Sequence, residues 1–130
     1  MKGKSHSEEI EKALTNNLKL NVKFFRQKAS GSEPVRDWLR KLPANERKAI
    51  GEDIKTVQIG WPLGLPLVDH IEGGVWEVRT RLPNRIARVL FAFESNTMIL
   101  LHGFIKKDQA TPKADKQIAL DRLKLIKTTS

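Results

Sequence analysis

Three consecutive strand-like stretches, VWEVRTRL, RIARVLFAFE and TMILLHGFIKK, constrain this chain more tightly than any other feature of it. A period of two is the signature of strands with two distinct faces. The breaks between the stretches, Pro83-Asn84 and Ser95-Asn96, are turn dipeptides, so the three read as an antiparallel meander. Alternation then assigns faces. On the first arm Trp76, Val78 and Thr80 point one way, and Glu77, Arg79 and Arg81 the other. With the first turn centred on Pro83-Asn84, Arg79 lies opposite Arg88, Trp76 opposite Phe91 and Val78 opposite Val89.

The elements around this meander complete an α+β outline. Leu18, Leu20, Val22 and Phe24 alternate with Lys19, Asn21 and Lys23 as a first strand. Ser32 and Pro34 open a helix carrying Val35, Trp38, Leu39 and Leu42 at helical spacing until Pro43 interrupts. A second helix carries Ala49, Ile50, Ile54 and Val57 and ends at Gly60, ahead of Pro62; the two form a helical hairpin. VDHIE is a further short strand. Thr111 and Pro112 are an N-cap and first-turn pair opening a last helix whose Ile118, Ala119, Leu123 and Ile126 face the sheet. The expected fold is an antiparallel sheet of four to five strands, with an N-terminal helical hairpin and a C-terminal helix packed on it. The expected domains are an extension over residues 1–19 and a single domain over residues 20–127. In the extension Ser7 is placed to cap a short helix bearing Ile10, Ala13 and Leu14. Docking on the domain, binding a partner and fraying all remain open for it.

Composition narrows the function. With 39% hydrophobic and 30% charged residues the 130-residue chain has the makeup of one folded domain. Its 24 lysines and arginines against 15 acids leave a net charge of +9, which points to a polyanionic partner, nucleic acid first. There is no cysteine, hence no disulfide and no thiolate metal ligand. The polar start and the lack of a long apolar run point to the cytoplasm and away from a membrane. The sequence holds no metal-ligand spacing beyond the loose Asp69, His70 and Glu72 group, and no P-loop, Rossmann glycine pattern or GxSxG; neither cofactor nor metal is expected.

The chemistry concentrates in the meander. Arginines facing each other across a ladder repel, so something negative belongs between them. Either Glu77 and other acids neutralise the pair as a solvated network, or a phosphate does. Arg79, Arg81, Arg85 and Arg88 with no acid among them weigh toward the phosphate. Lys106 and Lys107 end the third strand close to Lys113, and only one of the pair shares the arginine face; edge lysines that discourage aggregation are the bland alternative. His102 pairs near Val89 in this register and faces the core as a hydrogen-bonded structural histidine, although a small register slip exposes it. RNA carries its own nucleophile, so cleavage needs a base for the 2′-hydroxyl, cations on the phosphorane oxygens and an acid for the leaving oxygen. Arg79 and Arg88 suit the cationic role. Lys106, Lys107 and His102 are the groups able to move protons, and Arg81, Arg85 and Lys113 are further RNA contacts.

The strings Trp76-Glu77-Val78-Arg79, Arg88-Val89 with Phe91 and Phe93, and Leu100-Leu101-His102-Gly103-Phe104-Ile105-Lys106-Lys107 running into Thr111-Pro112 resemble the RelE/ParE toxin superfamily, in its phage-derived, HigB-like branch. The resemblance spans about residues 18 to 127. It implies a RelE-like fold and the toxin of a type II toxin-antitoxin system: a ribosome-dependent messenger RNA endoribonuclease that arrests translation and is held in check by a helix-turn-helix antitoxin. By position Arg79, Arg88 and the lysine pair match the basic groups of that active site. The chain departs from the branch in having no tyrosine at all, with Ala87 where one often precedes the arginine. A ParE-like inhibitor of DNA gyrase and an RNA-binding module that has lost its activity are the two alternative functions.

Overall fold

The structure, a computed structural model, describes residues 20–107 and 110–129. The extension expected over residues 1–19, and the helix capped by Ser7, lie outside the described residues. The elements are β1 (Asn21–Phe24), α1 (Pro34–Arg40), α2 (Ala44–Gly60), β2 (Val68–Glu72), β3 (Val75–Leu82), β4 (Arg85–Glu94), β5 (Thr97–Lys106) and α3 (Lys113–Thr129). They build one five-stranded sheet in the order β1-β5-β4-β3-β2. Strands β2 to β5 are antiparallel neighbours. The first strand instead joins the far edge parallel to β5, pairing Asn21 with Thr97 through Phe24 with Leu100, so the sheet is mixed.

Turn chemistry sets the hairpins. Ser95 and Asn96 both sit at positive φ, +48° and +60°, the two-residue turn whose twist matches paired strands. Asn84, at φ +62°, follows the fixed φ of Pro83 and closes the β3–β4 hairpin. The register across that hairpin pairs Trp76 with Phe91, Val78 with Val89 and Arg79 with Arg88, as a turn centred on Pro83-Asn84 requires.

Because strand side chains alternate, the sheet buries both faces. Against one lie Val35 of α1 and Ile50, Ile54 and Val57 of α2, packed on Val78, Val89, Phe91 and Leu100. Trp61, just past α2, stands edge-on to Trp76 and Phe91 at centroid distances of 5.1 and 5.6 Å and anchors the segment that follows. Against the other face lie Ala119 and Leu123 of α3, packed on Leu90, Ala92, Ile99 and Leu101. The helices therefore sandwich the sheet, and α3 shares its face with Glu77, Arg79 and Arg88.

Gly103 sits in the middle of β5, where glycine is otherwise unfavourable. The indole of Trp38 from α1 lies directly on it, and a Cβ would fall within 3.0 Å of the ring. Neither the ring nor the strand backbone can yield cheaply. Gly103→Ala is expected to destabilise the domain by about 1–3 kcal/mol, the usual cost of overpacking, read as a lower urea midpoint with an unchanged denaturant slope.

Candidate active site

The α3 face of the meander gathers the charged side chains around one carboxylate. Glu77 is fully buried at the centre of β3, and so is Arg88 opposite on β4. Arg88 donates from Nη1 to Glu77 Oε1 at 3.1 Å, Arg79 brings its Nε to 3.3 Å from the same oxygen, and the Thr111 hydroxyl donates to Oε2 at 2.7 Å. The negative group between the opposed arginines is thus Glu77, in a buried cluster rather than a solvated network. Burial, reinforced by nearby Arg79, holds the Arg88 guanidinium below the usual arginine range, while Glu77 pulls the other way. The two arginines differ in access. The Arg79 side chain keeps 17% of its surface exposed and that of Arg88 none.

Thr111 was expected to cap the last helix. Its hydroxyl goes to Glu77 instead, and the first helical bond of α3 runs from the Lys116 N–H to the Pro112 carbonyl. A buried carboxylate is the stronger acceptor for that hydroxyl, since charge-assisted bonds are about twice as strong as neutral ones. The bond also ties the entry to α3 down over Arg88.

His102 is not on the face expected of it. It pairs with Leu90, not Val89, because Leu101 is an extra residue opposite the Leu90–Phe91 step. A one-residue bulge turns everything beyond it to the other side of the sheet. His102, Phe104 and Lys106 consequently share the Arg88 face, paired in register with Leu90, Arg88 and Ile86. The bulge is held from α3, where Arg122 donates to the Leu101 carbonyl at 2.7 Å and lies 5.5 Å from the Phe25 ring centroid.

His102 is 16% exposed and donates Nε2–H to Asp115 of α3 at 2.7 Å, since a carboxylate only accepts. That bond sets the tautomer and leaves Nδ1 available for proton exchange. Phe104 stacks on the imidazole, centroids 5.7 Å apart. Trp76 and Phe91 lie on the opposite face around Trp61.

The remaining cations divide. Lys106 and Lys107 are exposed where β5 ends, and Lys113 is exposed at the start of α3. Arg81 is exposed on the Arg79 face. Arg85 turns to the opposite face and binds Glu46 of α2, so it stands apart from the cluster. No group of three or more histidine, aspartate or glutamate side chains among the described residues is gathered closely enough to hold a metal ion. No described helix is long and apolar enough to cross a membrane. Sequence reasoning missed Thr111, Asp115 and Arg122 as parts of this site. Only the Thr111-Pro112 string signalled any of them, and it read as a cap.

A mixed sheet with two consecutive helices on one face and a C-terminal helix on the other is compatible with the fold of RelE-type toxins. The chain belongs to the phage-derived Gp49-like family within that class, the HigB-like branch, whose family model, "Phage derived protein Gp49-like", matches residues 37–124. It is also 32% identical over 105 residues, 81% of this chain and 83% of theirs, to proteins named "Probable endoribonuclease HigB1" from the CDC 1551 and H37Rv strains of Mycobacterium tuberculosis.

Proposed function

We propose that this chain is the toxin of a type II toxin-antitoxin system and acts as a ribosome-dependent, metal-independent endoribonuclease on messenger RNA in the cytoplasm, with a helix-turn-helix antitoxin as its partner. One observation carries the reading: Arg79, Arg88, His102 and Lys106 share the sheet face of Glu77, although they come from three strands. The name of the Mycobacterium tuberculosis relatives supports it.

The message supplies its 2′-hydroxyl as nucleophile, so the protein has only to position it, move two protons and offset charge on the phosphorane. Arg79, the accessible arginine, forks onto the phosphate oxygens. Arg88 works from beneath, keeping the Glu77 carboxylate satisfied and adding positive potential. His102 exchanges a proton through Nδ1 while Asp115 holds Nε2, and Lys106 or Lys107 serves the other oxygen. Lys113 extends the phosphate track, Arg81 is a further RNA contact at the end of β3, and Arg85, paired with Glu46 on the far face, takes no part. With no tyrosine in the chain, Phe104 is the aromatic nearest this chemistry.

Purified protein added to a translating extract is expected to produce new message ends inside translated codons, and none in message kept off ribosomes. Intact message at doses that stop growth or translation would sink the proposal, and supercoiling inhibition under those conditions would replace it with gyrase poisoning.

A further inference from the structure

Strand β2 stops covering β3 beyond the Val68–Val78 pair, and the Arg79 amide donates instead to the Leu67 carbonyl at 2.8 Å. The uncovered end of β3 opens a cavity of about 270 Å³ walled by Asp53 of α2, Pro66 and Leu67, Arg79 and Arg81 of β3, and Ile86 of β4. It adjoins the proposed phosphate site, because Arg79 belongs to both.

The walls carry opposite hydrogen-bonding demands. The Asp53 carboxylate only accepts and the Arg81 guanidinium only donates, yet neither side chain forms an ion pair or hydrogen bond among the described residues. A ligand that satisfies both has donors on one edge and acceptors on another. Pro66, Leu67 and Ile86 meanwhile offer apolar surface to its flat faces. A nucleobase answers this description. Among the four RNA bases guanine answers it best: a guanidinium fork reads its O6 and N7, and its neighbouring N1–H and 2-amino groups match the two oxygens of a carboxylate.

We infer that this cavity is a guanine subsite, a reading that rests on the RNA-cleaving function proposed above. With a phosphate on Arg79, the attached base enters between Asp53 and Arg81, and the message is cut beside guanine in preference to uracil. The pocket thereby adds a base-reading element to a site whose other cations see only backbone.

The inference is tested by titrating isotope-labelled full-length protein with GMP, IMP, AMP, CMP and UMP and following amide shifts. GMP is expected to perturb residues around Asp53, Leu67 and Arg81 and to bind about tenfold more tightly than UMP, the discrimination of one bidentate pair. IMP, which lacks the 2-amino group, is expected to fall between them. Asp53→Asn, nearly isosteric on the surface of α2, is expected to bring GMP down to the level of IMP or below; Arg81→Ala provides a second variant that disturbs no packed side chain. Equal binding of GMP and UMP, or an unchanged GMP affinity in both variants, would overturn the subsite. GMP binding at this pocket without any message cleavage upholds the subsite and sinks the nuclease reading; cleavage with no base discrimination in binding removes the subsite alone.

Discussion

Glu77→Ala is expected to lower the stability of the domain by about 3–5 kcal/mol, the cost of leaving one member of a buried ion pair uncompensated. For a domain of this size that is a fall in Tm on the order of 10 °C. The carboxylate is fully buried and accepts from Arg88 and Thr111 while Arg79 approaches the same oxygen as Arg88. Its removal strands the Arg88 guanidinium, itself with no exposed surface, next to a second cation. Thr111 loses its acceptor as well, so the start of α3 loosens with the pair. The double variant Glu77→Leu with Arg88→Met removes both charges and keeps the volume, and is expected to recover most of the loss. Thermal unfolding of the wild type, the single and the double variants checks this. A single-variant cost below about 1 kcal/mol, the magnitude of a surface pair, would mean that the cluster is solvated in solution.

Arg79→Ala is expected to have the opposite profile, with cleavage down about 10²- to 10³-fold, the usual loss of a group that stabilises developing charge, and Tm nearly unchanged. The guanidinium is the accessible member of the opposed pair, and its loss leaves Arg88 still bound to Glu77. Arg79→Lys is expected to recover only part of the rate, since an ammonium lacks the fork that grips two phosphate oxygens. Primer extension on message from a translating extract reads the rate. Full activity in Arg79→Ala would remove this residue from the site.

The contrast between the two arginines was invisible in the sequence, where they are equivalent partners across a ladder. Their difference comes from Thr111 and the entry to α3, which close over Arg88 and leave Arg79 at the open end of β3. Arg85 is a second case. It falls in the same run of arginines, but its partner Glu46 lies 39 residues away on a helix of the opposite face.

What the sequence determined by itself is everything that follows from short-range period and turn chemistry. The Pro83-Asn84 turn fixes the register that places Arg79 opposite Arg88, and a period of two puts Val78 and Val89 together on the other, buried face. The two consecutive helices and the C-terminal helix were legible for the same reason. Only the tertiary structure decided which of the charged groups meet. Met98 to Leu101 is one apolar run, and nothing in it marks Leu101 as an extra residue. The bulge depends on Arg122 reaching its carbonyl from α3 and on Leu101 packing into the α3 core, contacts that exist only after helix and sheet have docked. That single residue moves His102 from the core, where alternation put it, to the face of Arg88, within reach of Asp115. The parallel placement of β1 against β5 is likewise a matter of long-range packing, since a strand's own pattern says which face is buried and not which neighbour it joins.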